Sequence, residues 1–290
     1  MLWTNLGKKI TNYTPLRYPG GKSQLLPYFQ KLIANNKLKS GHYIEPFCGG
    51  AGLALGLLLT DSVSAIHLND YDRAIYAFWY SCIRKPDALC SLIETVPCTM
   101  DTWYLQRETW LNRNKAPLLN LGFATFFLNR VNRSGILKAG VIGGKQQAGT
   151  YKLDARYNKD GLIKRIQTIG KLKSRIGIYN LDALDFMSGI QSQVPKNSLV
   201  YLDPPYVEKG PGLYTDAYKE ADHRRLATWV QKKLKLPWIM SYDSHPLIKE
   251  CYKASAGAGH EIDLAYSAHA SLRKGKELMY FSKSLSYLQI

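Results

Sequence analysis

The chain has 290 residues, with 39 Lys or Arg against 22 Asp or Glu, a formal net charge of +17, and 46% hydrophobic residues. Apolar content of that size excludes intrinsic disorder, and the length suits one large domain or one domain carrying an insertion. The longest apolar run, Leu53 to Leu59, is interrupted by Gly56 and falls far short of a membrane span of roughly 20 residues. The opening MLWTNLGKKI has no apolar signal-peptide core, which predicts a cytoplasmic chain with no membrane partner. Five cysteines, at positions 48, 82, 90, 98 and 251, form no C-x-x-C pair, and the six histidines show no metal-ligand spacing. Reduced thiols packed as small hydrophobes are expected, with no metal.

Taken in chain order, Arg17 to Lys22 (RYPGGK) reads as a turn, followed by a helical pattern in Leu25, Leu26, Phe29, Leu32 and Ile33. A short strand at Tyr43–Glu45 runs into glycine-rich PFCGGAG (Pro46 to Gly52) and an apolar helix. Ala65 to Leu68 reads as a second strand ending on Asn69-Asp70, with a helix from Arg73 onward. This order of strand, glycine turn, helix, strand and acid belongs to the dinucleotide-binding type of α/β sheet. The strand rhythm then stops. Residues 86–130 read as helical, with an apolar face of Ala124, Phe126, Phe127, Leu128 and Val131, and the basic stretch RSGILKAGVIGGKQQAGTY reads as loop. Strands resume at Ile176–Tyr179, Ser198–Leu202, Trp238–Met240, Ile262–Ala265 and Leu278–Phe281. The expected fold is α/β, a Rossmann-like sheet with helices on both faces. Residues 1–85 and 161–290 form its main domain, and 86–160 an inserted helical and loop subdomain.

The positive charge is concentrated. Asn129 to Arg175 holds twelve Lys or Arg against two acids, Asp154 and Asp160, a local excess of +10. A solvated helix face accounts for part of it, from Lys164 to Arg175. Arg130 to Tyr157, where charges mix with Gly, reads instead as a loop suited to phosphates.

Asp203-Pro204-Pro205-Tyr206 follows the apolar strand Leu199 to Leu202 directly. Two prolines remove two backbone donors and fix the turn, leaving carbonyls free to accept. An acid at the C-terminal end of a central strand lies where open α/β sheets bind ligands. The Asp203 carboxylate and the Pro204 carbonyl together suit a planar amino group with two N–H donors, and Tyr206 offers an aromatic face for a base. Gly49, Gly50 and Gly52 allow close backbone approach to a ligand at a helix N-terminus. Asp70 is placed to accept from ribose hydroxyls, although it or Asp72 could instead cap the next helix.

In this order RYPGGK, EPFCGG, the acid after the second strand, the insert and DPPY resemble a Dam-like DNA adenine N6-methyltransferase over most of the chain. The resemblance implies an S-adenosylmethionine-dependent methyltransferase sheet, with S-adenosylhomocysteine as product. It implies catalytic roles for Asp203, Pro204, Pro205 and Tyr206. It places Tyr18, Gly20, Gly21, Lys22, Glu45, Pro46, Phe47, Cys48, Gly49, Gly50, Asp70 and Asp203 at the cofactor. Asp182 is placed at the cofactor's adenine amino group, with Asp185 as its rival and helix capping open for either.

The insert then implies target recognition, with 86–160 as the recognition subdomain. Phe127-Leu128-Asn129-Arg130 matches the family's LNR segment, and Arg133-Ser134-Gly135 stands at its DNA-probing hairpin. Members that methylate GATC carry Tyr-Asn where this chain has Arg133-Ser134, so a GATC site is not implied. Arg17, Asn129, Arg130, Arg133, Ser134, Lys138, Lys145, Arg273 and Lys274 are the expected DNA contacts, to phosphate or to guanine. Ser241-Tyr242-Asp243 is expected to border the target pocket, Tyr206 to Tyr218 to form a mobile loop, and His223 to be structural. The expected activity is site-specific methylation of a flipped-out adenine in duplex DNA by a monomer, with a cognate restriction endonuclease as a possible functional partner. An RNA (rRNA) adenine N6-methyltransferase and a catalytically inactive nucleic-acid-binding module are the alternatives.

Overall fold

A computed structural model of the chain describes residues 13–18, 21–207, 218–253, 260–267 and 272–286, with side chains described up to 253 and from 277 onward. Seven strands form one sheet: β1 (His42–Glu45), β2 (Ala65–Asn69), β3 (Ile176–Tyr179), β4 (Leu199–Leu202), β5 (Trp238–Asp243), β6 (His260–Ser267) and β7 (Leu272–Phe281). Their spatial order is β3-β2-β1-β4-β5-β7-β6. The first five in that order run parallel, and β7 pairs antiparallel with both β5 and β6. Strand order reverses between β1 and β4, so the crevice at their C-terminal ends is the natural ligand site of this Rossmann-like sheet.

The strands alternate between two apolar layers. Tyr43, Leu199, Tyr201, Ile239, Met279 and Phe281 face one core, and Ile44, Val200, Leu202, Met240, Tyr242 and Tyr280 face the other. Burial on both faces explains why β4 and β5 read as continuous apolar runs. The first core takes α1 (Leu26–Asn35), α2 (Gly52–Leu59), α3 (Arg73–Arg84), α4 (Pro86–Thr95), α5 (Met100–Leu111), α6 (Leu118–Val131) and α7 (Lys159–Lys171). The second takes α8 (Ala183–Ile190) and α9 (Glu220–Lys233), with α10 (Pro246–Cys251) beside α9. Among the described residues no helix is long and apolar enough to cross a membrane.

Local chemistry sets the helix ends. The Asp72 carboxylate accepts from Ala74 N and starts α3, and Pro86 opens α4 one residue after α3 stops. The helices of the expected insert share the core of the main sheet: α6 lies against α3, and Phe78 and Phe126 stack with ring centroids 6.2 Å apart. Beyond α6 the basic loop is organised by Asn132, which is buried. Its side chain accepts from Trp103 Nε1 at 2.8 Å and donates to Leu137 O at 2.9 Å.

Gly122 makes the α3–α6 approach possible, because a Cβ there would sit 2.5 Å from Ala77 O and 2.2 Å from Ser81 Oγ. Gly122→Ala gains at most about 1 kcal/mol of helix propensity. Overpacking costs about 1–3 kcal/mol. The variant is therefore expected to melt below the parent in a thermal scan; a higher Tm would show that the two helices separate freely.

Candidate active site

Asn69 ties together the strand ends that make the crevice. It is fully buried at the end of β2, donates to Pro46 O at 2.9 Å and Leu181 O at 3.1 Å, and accepts from Leu181 N at 3.0 Å. The loops leaving β1 and β3 are thereby locked to β2. Cys48 N donates to Asn69 O at 2.9 Å, and Trp79 Nε1 to Gly49 O at 2.8 Å, fixing the glycine turn from two sides. No motif pointed to Asn69; its signal was only an amide ending an apolar strand.

The glycine turn accommodates a side chain of the protein itself. Gly49 has φ +43°, and a Cβ on it would lie 2.5 Å from Tyr18 Cε1. A Cβ on Gly50 would lie 2.6 Å from Tyr18 Cβ. The close approach expected of a ligand is therefore made, at these two residues, by the Tyr18 ring. Gly21 N closes the following turn onto Tyr18 O at 3.1 Å, while Gly20 lies outside the described residues.

Asp70 and Asp72 divide their work. Asp72 caps α3, whereas Asp70 Oδ2 accepts from Gly49 N at 2.9 Å and Oδ1 from Asp72 N at 3.0 Å. The Asp70 carboxylate is half-buried in that turn. Tyr71 beside it is 63% exposed. At the end of β3, Asp182 Oδ1 caps α8 through Leu184 N at 2.9 Å, and Oδ2 lies 3.5 Å from Arg225. Asp185 is exposed in the first turn of α8, beyond that loop. Phe47 meets Tyr218 edge-on at 5.8 Å, adding an aromatic wall near Asp182. Cys48 is buried 4.0 Å from Asp70, and burial pushes its thiol well up, so it is a packed thiol and not a nucleophile.

At the end of β4, Asp203 joins a buried polar cluster. Its Oδ2 accepts from Lys22 Nζ at 2.8 Å, and its Oδ1 from Ser241 Oγ at 2.8 Å. Ser241 also meets Tyr201 OH at 2.7 Å; since its own proton goes to Asp203, Tyr201 must donate. Lys22 Nζ donates to Tyr206 OH at 2.9 Å and lies 3.4 Å from Glu277 Oε1, and Tyr206 OH donates to Glu277 Oε1. Lys22, Tyr206 and Glu277 are buried, whereas the Asp203 side chain keeps 21% of its surface exposed.

Burial alone would lower the Lys22 ammonium, but Asp203 and Glu277 outweigh it and hold the group well above the ordinary lysine value. Burial raises Glu277 to about 7, opposed by Lys22 and assisted by the Asp203 charge. Glu45, with a 5% exposed side chain behind the glycine turn, is pushed up to about 8 by burial, with the Asp203 charge adding to the rise.

Glu277 carried no motif. Alternation along β7 sets it on the face of Met279 and Phe281, and an acid on an apolar face was the available signal. The expected border residues also find places. Ser241 supports Asp203, and Asp243 accepts from Val207 N at 3.2 Å. His223 is buried, with Nδ1 2.8 Å from Tyr242 OH. Residues 208–217, expected as a mobile loop, lie outside the described residues, as do the side chains of Arg273 and Lys274.

The expected DNA contacts fall into two groups. Arg133, Lys138 and Lys145 are exposed, and Ser134, half-buried, adopts a left-handed φ of +56° in the turn Arg133–Gly135. Asn129, in contrast, is 1% exposed. It accepts from Arg17 N at 2.7 Å and donates to Arg17 O and Gly135 O, both at 2.8 Å. Its amide is used inside the protein, clamping the segment before Tyr18 to the end of α6. Arg17 and Arg130 are half-buried and hold backbone carbonyls.

The chain is 24% identical over 268 residues to the type II methyltransferase M1.LlaDCHI of Lactococcus lactis subsp. cremoris, covering 86% of this chain and 87% of that protein. A solved rRNA methyltransferase, aviRa from Streptomyces viridochromogenes, aligns with 14% identity and a TM-score of 0.37 over 92% of this chain and 87% of its own. A family model for D12 class N6 adenine-specific DNA methyltransferases matches residues 18–266. With DPPY at the end of β4 and the glycine turn at the end of β1, the chain belongs to the D12 class N6 adenine-specific DNA methyltransferase family.

Proposed function

We propose that the chain transfers a methyl group from S-adenosylmethionine to N6 of an adenine flipped out of duplex DNA, at a specific site. The observation carrying this reading is Asp203, a partly exposed carboxylate at the end of β4, oriented by Lys22 and Ser241 in the crevice where strand order reverses.

The residues around that crevice fit the cofactor's chemistry. Asp70 suits the ribose hydroxyls, since Asp72 has taken the capping role. Asp182 suits the cofactor's adenine amino group better than exposed Asp185. Tyr71 and Leu181, 63% and 47% exposed, offer apolar surface for a flat ring beside each acid. When bound, S-adenosylmethionine supplies an electrophilic methyl group on a sulfonium.

The protein supplies position and charge. An exocyclic amino nitrogen is a weak nucleophile because its lone pair is delocalised into the ring. Hydrogen bonds from its two N–H groups to the Asp203 carboxylate and the Pro204 carbonyl draw it toward tetrahedral geometry and stabilise charge developing on nitrogen. Alignment of N6 with the methyl group provides the larger part of the acceleration. As the N6 lone pair forms its bond to the methyl carbon, the S–CH3 bond breaks with its electron pair left on sulfur, S-adenosylhomocysteine departs, and one N–H proton passes to Asp203 and leaves through its exposed edge. Lys22 holds the Asp203 carboxylate in place to accept it. Flipping costs a few kcal/mol, offset by phosphate contacts from exposed Arg133, Lys138 and Lys145. The family's DNA chemistry supports duplex DNA as substrate.

Asp203→Ala is expected to abolish transfer of a labelled methyl group to duplex DNA while S-adenosylhomocysteine binding, measured by calorimetry, stays within a few-fold. The variant should fold, because Lys22 retains Glu277 as partner. Retained turnover would remove Asp203 from catalysis, and labelling of RNA in preference to duplex DNA would overturn the substrate. Glu45 gives a test that needs no substrate. Its folded value of about 8 lies above the ordinary 4.5, so its protonated form favours folding. That stability is complete below pH 4.5 and is lost as pH rises through 8. Glu45→Gln should therefore gain Tm relative to the parent progressively from pH 5 to pH 8.5, whereas a constant difference would mean that Glu45 is ionised in the fold.

A further inference from the structure

Four guanidinium groups converge beside the segment that carries Tyr18 and Lys22. Arg17 belongs to that segment, Arg130 to the last turn of α6, Arg156 to the turn before α7, and Arg165 to α7. Arg17, Arg130 and Arg165 are held by backbone carbonyls, and exposed Arg156 offers its own carbonyl to Arg130. Arg130 Nε donates to Arg156 O at 2.7 Å and its Nη1 to Pro15 O at 3.5 Å. Arg165 Nη1 donates to Thr14 O at 3.1 Å, and Arg17 Nη1 to Asn132 O at 3.2 Å. Among the described residues none of the four forms an ion pair with a carboxylate. Arg130 shows the consequence: burial, and then the charges of Arg17, Arg165 and Arg156, bring it down to about 10. Burial and Arg156 act on Arg17 in the same direction.

Like charges held this close repel, and partly buried charge is expected to have an opposite partner. Carbonyl dipoles orient Arg17, Arg130 and Arg165 without neutralising them. We propose that Arg17, Arg130, Arg156 and Arg165 form a seat for a backbone phosphate of the DNA duplex. The proposal rests on the DNA reading above and extends it to two residues, Arg156 and Arg165, that no motif marks. Guanidinium groups bind phosphate oxygens through paired N–H donors, and a phosphate needs no base identity. The seat also has a place in the site's construction. The turn at Gly135, whose φ is +75°, packs so tightly on Arg17 that a Cβ there would lie 2.1 Å from Arg17 O. A phosphate in the seat would therefore dock the duplex against both the Arg133 turn and the strand of residues leading to Lys22.

The test uses fluorescence anisotropy with a labelled duplex of random sequence, between 50 and 200 mM KCl, on the full chain and on Arg156→Gln and Arg165→Gln. Lys232→Gln, an exposed site on α9, controls for loss of one charge. Each seat variant should bind several-fold more weakly, with the slope of log Kd against log salt shallower by about 0.9. For Arg156→Gln, relief of repulsion should leave the free protein's Tm unchanged or higher, and S-adenosylhomocysteine binding should not move. Parent-like slopes in the seat variants, or an equal loss in Lys232→Gln, would overturn the seat alone. If the parent binds no duplex at any salt, the DNA reading fails and the seat fails with it.

Discussion

The site is organised around one buried cation. Lys22 reaches from the segment after Tyr18 into the sheet and meets Asp203 at 2.8 Å and Glu277 at 3.4 Å, while donating to Tyr206. Three distant parts of the chain are thereby joined: the N-terminal turn, the end of β4 and the middle of the antiparallel strand β7. Two carboxylates facing one ammonium cannot both be ionised cheaply in a buried setting. The more exposed, Asp203, has the additional donor Ser241; the buried one, Glu277, is raised to about 7.

The crevice depends on that cation and on two neutral arrangements. Asn69 binds the loops leaving β1 and β3 to the end of β2. The glycine turn receives the Tyr18 ring, which docks the same N-terminal segment whose next lysine supports Asp203. The glycine turn after β1 and the Asp203 cluster are therefore both braced from one segment, by Tyr18 and Lys22.

Much of this was legible in the sequence because it depends on local rules. The strands were visible as short apolar runs, and acids following β2 and β4 pointed to a crevice at the strand ends, while the strand order itself was not legible. What was not legible depends on tertiary placement. Glu277 is one acid in a strand until pairing with β5 brings it under Tyr206. Asn129 read as a nucleic-acid contact from its motif, yet it spends its amide on Arg17 and Gly135. Gly49 and Gly50 signalled a close approach to a ligand, and spacing could not say that the Tyr18 side chain stands there. The charge excess between residues 129 and 175 likewise divides between an exposed turn at Arg133 and arginines beside the Tyr18 segment.

The central claim is that Lys22 holds the two carboxylates in the fold, and the unfolding free energy of Lys22→Met across pH measures it most directly. Lys22 opposes the rise that burial imposes on Glu277, so without the ammonium that carboxyl rises further, and its contribution to stability is kept at low pH and lost as pH increases. A loss of about 3–5 kcal/mol relative to the parent is expected at pH 8. At pH 5, where Glu277 takes a proton, the loss should be clearly smaller. A loss that is small at pH 8, or the same at both pH values, would contradict it.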